Sequence, residues 1–295
     1  MPARATVGMP VYNGEKYLPA ALDSVREQDE ADLEIVISDN ASTDATEEIC
    51  RAAAAEDPRI RYVRLPENWG GRYNFNHVLD LATAPYFTWA AADDIRRPAF
   101  VRRCLETFAD ADPATVLVSP RTQIIDAGGV ITEDLNDADL ACDEPTPHQR
   151  MAHFLNAQAA HLFYGLHRTD ALRRTRGIRP TVGNDLVLLA ELACQGPFAL
   201  VPEQLFLQRR HAEQFSQQGQ AQVQWHAPKA SVRFAFPHTM VSVEMARGVL
   251  ASRIGAAETA RALATIPVAW TLPRWRGPAA DVWAALGRQP RSQRG

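Results

Sequence analysis

The chain has 295 residues, of which 46% are hydrophobic and 22% charged, and its formal net charge is −4. This composition is typical of a folded globular protein, and the negative charge gives no electrostatic basis for nucleic-acid binding. No apolar run is long enough to span a bilayer, and the first strand pattern begins at Thr6 without a signal sequence before it. The four cysteines have no C-x-x-C spacing. We therefore expect a cytoplasmic protein with reduced cysteines.

The first hundred residues alternate between strand and helix patterns. Apolar strand patterns cover residues 6–11, 33–38, 60–65 and 86–92, and residues at helical spacing follow each of them. Short loops join these elements. The alternation predicts the α/β class, with a mainly parallel sheet flanked by helices.

Polar residues stand where each of these four predicted strands ends. Because the carboxyl ends of parallel strands lie at one edge of a sheet, these residues predict a ligand crevice there. They are Tyr12 and Asn13, Asp39 and Asn40, Asn68 and Gly70, and Asp93 and Asp94.

Asp93 and Asp94 follow the most apolar of these strands. Two adjacent carboxylates are costly to bury. One of them is suited to holding a divalent cation while its neighbour contacts a sugar hydroxyl or braces the loop. The structural alternative is that one of them caps the next helix.

The second half of the chain mixes strands, loops and helices. We predict a strand at 116–119, a hairpin turned at 126–129, an exposed acidic loop at 133–147 and a strand at 161–167. In that last strand, alternation puts His161 and Tyr164 on opposite faces. Gly183 and Asn184 lead into a helix at 186–194, and strands at 198–201 and 205–208 end in Arg209, Arg210 and His211.

The composition changes near Ser216. We predict a Gln-rich linker or exposed helix at 214–224, a helical C-terminal arm over 216–295, and a disordered tail from Arg288. Residues 268–286 are apolar with basic flanks. This segment either packs on the rest of the chain or on a second copy, forming a homodimer, or it lies on an anionic membrane surface.

Four motifs in the first hundred residues resemble the inverting family 2 glycosyltransferases, which have the GT-A fold. The motifs are Pro10-Val11-Tyr12-Asn13 with Leu18, Asp39-Asn40-Ala41-Ser42-Thr43-Asp44, Asn68-Trp69-Gly70, and Asp93-Asp94. The resemblance is strong over residues 4–110 and weaker to 215. One departure is Ala91, which stands where many relatives have the first acid of an Asp-x-Asp motif.

The resemblance implies a GT-A catalytic domain at 1–215, with a nucleotide-binding half (1–110) and an acceptor-binding half (111–215). It also implies roles for individual residues. The nucleotide would be bound by Pro10, Tyr12, Asn13, Asp39, Asn68, Gly70 and Arg72. The donor sugar and diphosphate would contact Asp93, Asp94 and Arg210. Asp93 and His211 would hold Mn²⁺ or Mg²⁺, Asp185 would be the general base, and His161 and Tyr164 would line the acceptor cleft.

Several of these roles have a structural alternative. Tyr12 is otherwise a core aromatic, Arg72 a surface arginine, His211 a structural histidine, and Asp185 a residue of a helix first turn. For these four residues the sequence is compatible with both the functional and the structural role.

The function implied is transfer of a hexosyl or deoxyhexosyl group from a UDP-, TDP- or GDP-linked sugar to a hydroxyl. The acceptor would be a glycan, a lipid-linked glycan or a natural product, at a cytoplasmic location that includes the inner face of the membrane. A non-catalytic nucleotide-sugar-binding protein is one alternative, supported by Ala91. A sugar nucleotidyltransferase is another, although no Gly-rich basic loop follows the first strand. The absence of G-x-G-x-x-G at that place disfavours a dinucleotide oxidoreductase.

Overall fold

A computed structural model describes residues 2–212 and 237–285. The strands are β1 (Ala5–Val11), β2 (Leu33–Asp39), β3 (Ile60–Arg64), β4 (Tyr86–Trp89), β5 (Ile95–Arg96), β6 (Leu117–Ile125), β7 (Ile131–Asp134), β8 (Leu166–Arg168) and β9 (Phe198–Arg209). The helices of residues 2–212 are α1 (Leu18–Arg26), α2 (Thr46–Glu56), α3 (Gly71–Leu81), α4 (Phe100–Asp110), α5 (Pro147–Ala157), a 3₁₀ helix (Ala160–Tyr164), α6 (Thr169–Arg174) and α7 (Asn184–Gln195). The arm contains α8 (Pro237–Ala251), α9 (Ala256–Thr265), a π-helical turn (Ile266–Thr271) and α10 (Arg276–Ala285).

One sheet joins all these strands in the order β3-β2-β1-β4-β8-β6-β9-β5, with β7 paired to β6. The four strands from β3 to β4 pair in parallel, as the strand–helix alternation predicts. From β8 onward the sheet is mixed, because β8 runs antiparallel to both β4 and β6 while β9 runs parallel to β6. The predicted α/β class is confirmed, with the purely parallel ladder confined to the N-terminal half.

Helices cover both faces of the sheet, and each face has its own core. β1 is buried along its whole length, as expected for a central parallel strand. On one side its residues pack with α1, α2 and α4, and on the other side β2 and β4 pack with α3, α5 and α7. This arrangement leaves the carboxyl ends of β1 to β4 together at one edge.

The described part of the arm packs on α5 and α7. Val241, Met245 and Val249 of α8 are buried in the same core as Leu189. Gly248 permits the close approach, because a Cβ there would lie 2.4 Å from Cγ of Glu191. The described helices of the arm therefore pack on the rest of the chain. The division into domains at 1–215 and 216–295 stays a prediction. The predictions of a linker or exposed helix at 214–224 and of a disordered tail from Arg288 lie outside the described residues.

Three local predictions were wrong. The 133–147 segment is not wholly exposed, because Asp137 and Cys142 are buried and Cys142 forms a β-bridge with Phe198. Residues 161–164 belong to a 3₁₀ helix and not to a strand. The two strands predicted at 198–208 form the single strand β9, which shifts register against β6 between Pro120 and Thr122.

Over residues 2–212 and 237–285, no helix combines the length and the apolar character that crossing a bilayer requires.

Candidate functional site

The loops after β1 and β2 hold each other by reciprocal hydrogen bonds. The Asn13 N–H donates to Ser42 Oγ over 2.9 Å, and Asn13 Oδ1 accepts from the Thr43 N–H over 2.8 Å. Asn13 has a φ of 49°, in the left-handed region that asparagine tolerates better than most residues. The Asn13 side chain therefore fixes the shape of the crevice.

Asp39 is a fully buried carboxylate at the end of β2. Oδ1 accepts from the Ser42 N–H at 2.8 Å, and Oδ2 accepts from Tyr62 Oη at 2.8 Å and Arg64 Nη1 at 2.6 Å. Burial acts to raise the pKa of Asp39, but the hydrogen bonds from Ser42, Tyr62 and Arg64 together hold it below its ordinary value. Asp39 is thus fixed in its charged form.

Asn40 and Asn68 tie the second loop to the third. Asn40 Nδ2 donates to Asn68 Oδ1 over 2.8 Å, and Asn40 Oδ1 accepts from the Trp69 N–H over 2.9 Å. The Gly70 N–H donates to Asn68 Oδ1, and Gly70 has a φ of 85° before α3 begins. Glycine suits this backbone conformation, so the Asn-x-Gly spacing has a structural reason.

Two exposed aromatic rings and one half-buried arginine lie near these loops. Tyr12 and Trp69 are 38% and 37% exposed, so Tyr12 is not a core aromatic. Arg72, in the first turn of α3, has a buried Nε with no hydrogen-bond partner in the described part of the chain. An unpaired buried donor is costly, and a bound anion would satisfy it.

The end of β9 returns to the Asp93–Asp94 loop. His211 Nε2 lies 3.0 Å from Asp93 Oδ2. The Arg209 backbone N–H donates to Asp94 Oδ1 over 2.8 Å, and Arg209 Nε donates to the Asp93 carbonyl over 2.8 Å. Arg210 points elsewhere and pairs with exposed Glu133 at 3.0 Å. The arginine against this loop is therefore Arg209, which sequence reasoning did not single out.

Tyr17 contacts both His211 and Arg209. Its ring centroid lies 4.6 Å from that of His211, and the Arg209 guanidinium lies 4.9 Å from the same ring. Tyr17 Oη and His211 Nδ1 are buried without partners among the described residues. We call Tyr17, Asp93, Arg209 and His211 the Asp93 cluster. In the sequence, the one sign of a role for Tyr17 is its position directly before Leu18, the leucine of the first motif.

Asp94 lies inside the protein behind this cluster. Burial raises its pKa well above the ordinary value and the charge of Asp93 raises it further, while the Arg209 N–H and the charges of Arg96 and Arg209 oppose them. Arg96 is itself buried, which lowers its pKa to about 10. Asp94 therefore braces the loop more than it faces a ligand.

Tyr164 links the Asp93 cluster to Asp185. The pKa of Tyr164 is raised first by burial and then by the negative charges of Asp94, Asp93 and Asp185. Asp185 stands in the first turn of α7, after Gly183 at a φ of 67°. Loss of solvation raises its pKa, although the Leu186 N–H donates to it at 2.8 Å. The carboxylates at 93, 94 and 185 thus act on one phenol.

His161 stands on the Tyr164 side of the 3₁₀ helix, since residues three apart eclipse in that helix. The predicted opposition of the two faces was wrong for this reason. His161 Nε2 lies 3.6 Å from Asp137 Oδ2, and Asp137 in turn accepts from Arg121 Nε at 3.0 Å. Burial lowers the pKa of His161. His161 is therefore mostly neutral at neutral pH.

Within residues 2–212 and 237–285 there is no group of three or more His, Cys, Asp or Glu side chains that fits a metal ion. Asp93 and His211 are a pair, and Ala91 supplies no third ligand. A pair suits Mg²⁺ or Mn²⁺ when substrate phosphates complete the coordination, which is the usual arrangement for these ions.

The model of the family described as "Glycosyl transferase family 2" matches residues 6–165. The chain belongs to glycosyl transferase family 2. This family 2 chain is 29% identical over 138 residues to the teichoic acid poly(glycerol phosphate) polymerase of Staphylococcus epidermidis, covering 45% of this chain but 19% of that protein. The chain therefore spans well under two thirds of this relative.

Solved glycosyltransferase structures share the fold of this family 2 chain. S. aureus TarS 1-349 in complex with UDP-GlcNAc has a TM-score of 0.68 at 16% identity, over 91% of this chain and 73% of that one. The mannosyltransferase PcManGT from Pyrobaculum calidifontis, in complex with GDP-Man and Mn2+, has a TM-score of 0.58 at 19% identity, over 98% and 77% of the two chains. The GT-A fold predicted from the motifs is confirmed. Asp185 and His211 lie beyond the residues that the family model matches.

Proposed function

We propose that the protein transfers a hexosyl or deoxyhexosyl group from a nucleoside-diphosphate sugar to an acceptor hydroxyl, with inversion at the anomeric carbon. The observation that carries the proposal is that Asp93, with His211 Nε2 at 3.0 Å from its Oδ2, follows β4 at the same sheet edge as Asp39 and the Asn68–Gly70 turn. A pair of side chains suited to a metal and diphosphate thus stands beside loops suited to a nucleotide, which supports the proposal. The solved structures of similar fold, in complex with UDP-GlcNAc or GDP-Man, support a nucleotide-sugar donor.

The nucleotide lies at the ends of β1 to β3 in this proposal. The exposed ring of Tyr12, next to Pro10, stacks on the base, and charged Asp39 accepts hydrogen bonds from the base or ribose. The Asn68–Gly70 turn shapes the ribose side. Arg72, whose Nε is buried and unpaired, donates to a phosphate.

Asp93 and His211 would hold a divalent metal, Mn²⁺ or Mg²⁺, which would neutralise the charge of the leaving diphosphate. The role of the protein is to keep the two ligands in place. The Tyr17 ring contacts the His211 ring at an interplanar angle of 45°, and Arg209 Nε donates to the Asp93 carbonyl. Such supporting contacts orient metal ligands and tune their affinity.

Asp185 takes the proton from the acceptor hydroxyl on the opposite side of the cleft. The oxygen forms a bond to the anomeric carbon while the bond from that carbon to the diphosphate oxygen breaks, and its electron pair leaves with the nucleoside diphosphate. The raised pKa of Asp185 makes it a stronger base than an exposed aspartate. His161 and Tyr164 line the side where the acceptor enters.

The test is release of nucleoside diphosphate from a panel of UDP-, TDP- and GDP-linked sugars in the presence of Mn²⁺ and simple hydroxyl acceptors. We expect wild type to turn over one donor class and Asp185→Asn to lose about 10²–10⁴-fold in turnover while it still binds that donor. Asp170→Asn is the matched control, since Asp170 also stands in a helix first turn but is exposed.

If Asp185→Asn turns over donor as fast as wild type, Asp185 is not the base. If wild type binds nucleotide sugars but turns over none of them, the non-catalytic binding function, which Ala91 favours, replaces this proposal.

A further inference from the structure

The π-helical turn and the turn after it carry exposed apolar side chains. Val268, Leu272 and Trp275 are 67%, 64% and 60% exposed. Val268 lies in the π-helical turn, and Leu272 and Trp275 lie in the turn that joins it to α10, so the three stand close together along the chain. We call these three residues the apolar stripe.

The segment that carries the stripe packs on the core. Ile266 and Ala269 are buried in the core shared with α5 and α7, and Trp270 packs against that core. The segment is therefore anchored by these residues, while the side chains of the stripe stay exposed to solvent. Contiguous exposed apolar surface on a folded protein usually marks an interaction site.

Arginines border the stripe. Arg261 lines the same groove as Val268, between α9 and α5. The Arg276 guanidinium lies 6.0 Å from the Trp275 ring, and Arg274 lies 3.9 Å from the ring of Trp270. Neither Arg274 nor Arg276 pairs with a carboxylate among residues 2–212 and 238–280. An apolar centre with a cationic border suits the interface of an anionic bilayer.

The distribution of charge along the chain points to the same ligand. Residues 237–295 contain eight arginines and three carboxylates, whereas residues 1–236 contain 23 Lys and Arg against 32 Asp and Glu. The negative net charge of the whole chain thus hides a basic C-terminal end. An anionic lipid surface attracts such an end and repels the rest.

The same charge argues against a second copy of this chain as the partner. A symmetric dimer through the stripe would bring two basic ends together, and like charges facing each other cost free energy. The surface of an anionic bilayer instead has negative charge, which attracts the arginines, and an apolar layer, which accommodates the apolar stripe. Tryptophan is enriched at membrane interfaces because its ring is apolar and its N–H is polar.

We propose that the apolar stripe and its arginines dock this protein on the surface of anionic lipid bilayers. Trp275, Leu272 and Val268 enter the headgroup region, and Arg261, Arg274 and Arg276 contact lipid phosphates. The docking does not depend on the transferase reaction, so it stands or falls separately from the proposed function.

The test is co-sedimentation of the full chain with vesicles, without any donor. One set of vesicles is phosphatidylcholine alone, and the other contains equal parts of phosphatidylcholine and phosphatidylglycerol. We expect binding to the anionic vesicles only, with an affinity that falls as salt increases. Leu272→Glu with Trp275→Glu should weaken binding at least about tenfold, and Arg276→Gln about fivefold.

Ile131→Glu is the matched control, because Ile131 is also an exposed apolar residue but lies on the β7 hairpin in the acidic part of the chain. It should bind as wild type does. Circular dichroism checks that each variant is folded, which we expect since the altered side chains are exposed. The proposal is overturned if wild type binds neither vesicle, binds both equally, or binds as well after the stripe is changed. A wild-type dimer that the stripe variant dissociates, without vesicle binding, also overturns it.

Discussion

The surroundings of Asp185 differ from those of an ordinary surface carboxylate. It has lost much of its hydration, and its own charge is disfavoured in the folded protein. Since its pKa is higher when folded than when unfolded, the folded state binds this proton more tightly. The contribution of Asp185 to stability is therefore best at low pH and falls as the pH rises through its folded pKa.

Asp185→Asn removes this disfavoured charge. We expect its melting temperature at neutral or slightly alkaline pH to equal or exceed that of wild type, while its turnover is lost. Thermal unfolding of both proteins over a range of pH measures this. A large loss of stability in Asp185→Asn would instead mean that the carboxylate is mainly a structural part of the α7 first turn.

The same raised pKa sets the pH dependence of catalysis. A general base must be deprotonated, so turnover should decline as the pH falls through the folded pKa of Asp185. That pKa lies above 3.8, the ordinary value, so the acidic limb of kcat/KM should lie above the usual aspartate range. A limb at the ordinary value would contradict desolvation of Asp185.

Tyr17 is the residue that the structure adds to the predicted site. Tyr17→Ala should free the His211 ring and weaken Mn²⁺-dependent nucleotide binding by about tenfold, as loss of a residue supporting a metal ligand does. Tyr17→Phe should bind like wild type, because Oη has no partner in the described part of the chain. Calorimetry of both variants measures this. Equal affinities of Tyr17→Ala and wild type would show that the contact between the two rings does not position His211.

At the scale of elements, β1 must lie close to α3 and β4 for the strand ends to meet. Gly8 permits this, because a Cβ there would lie 2.6 Å from Cζ of buried Phe87 and 3.0 Å from Cβ of Val78. The crevice residues follow only a few positions later on β1. The packing around Gly8 is thus part of what places them.

Gly8→Ala should destabilise the protein by about 1–3 kcal/mol, since overpacking forces buried side chains from their rotamers. Urea unfolding measures the change. Gly128→Ala is the control, because its nearest neighbour would be Asp126 Oδ1 at 3.3 Å in an exposed turn. A stable Gly8→Ala variant would mean that Phe87 has room to move.

The elements show what sequence patterns can and cannot predict. The strands β1 to β4 were predictable, because buried parallel strands read as apolar runs and the turns after them carry Asn, Asp and Gly. The 3₁₀ helix at His161 was not, since a short apolar run fits a strand equally well. Arg64, Tyr17 and Arg209 were missed because their contacts join residues far apart in the chain. The placement of Asp185 at a helix start was predictable from Gly183 and the apolar run after it.

At the scale of the whole molecule, residues 1–236 are net acidic and residues 237–295 are net basic. The acidic part holds the sheet and the candidate site. The described residues of the basic C-terminal end, 237–285, pack on α5 and α7 and expose the apolar stripe. The family 2 match covers residues 6–165. Asp185 in α7 and His211 after β9 lie outside this match. Their assignment to the candidate site therefore rests on the structure of this chain and on the sequence around them.

The most direct measurement is calorimetric binding of UDP, TDP and GDP, each with and without Mn²⁺, to wild type and to Asp93→Ala. Asp170→Ala, which removes an exposed carboxylate, is the control. We expect that one nucleotide binds, that Mn²⁺ strengthens its binding, and that only Asp93→Ala abolishes the effect of Mn²⁺. Nucleotide binding that ignores both Mn²⁺ and Asp93, or no nucleotide binding at all, would contradict it.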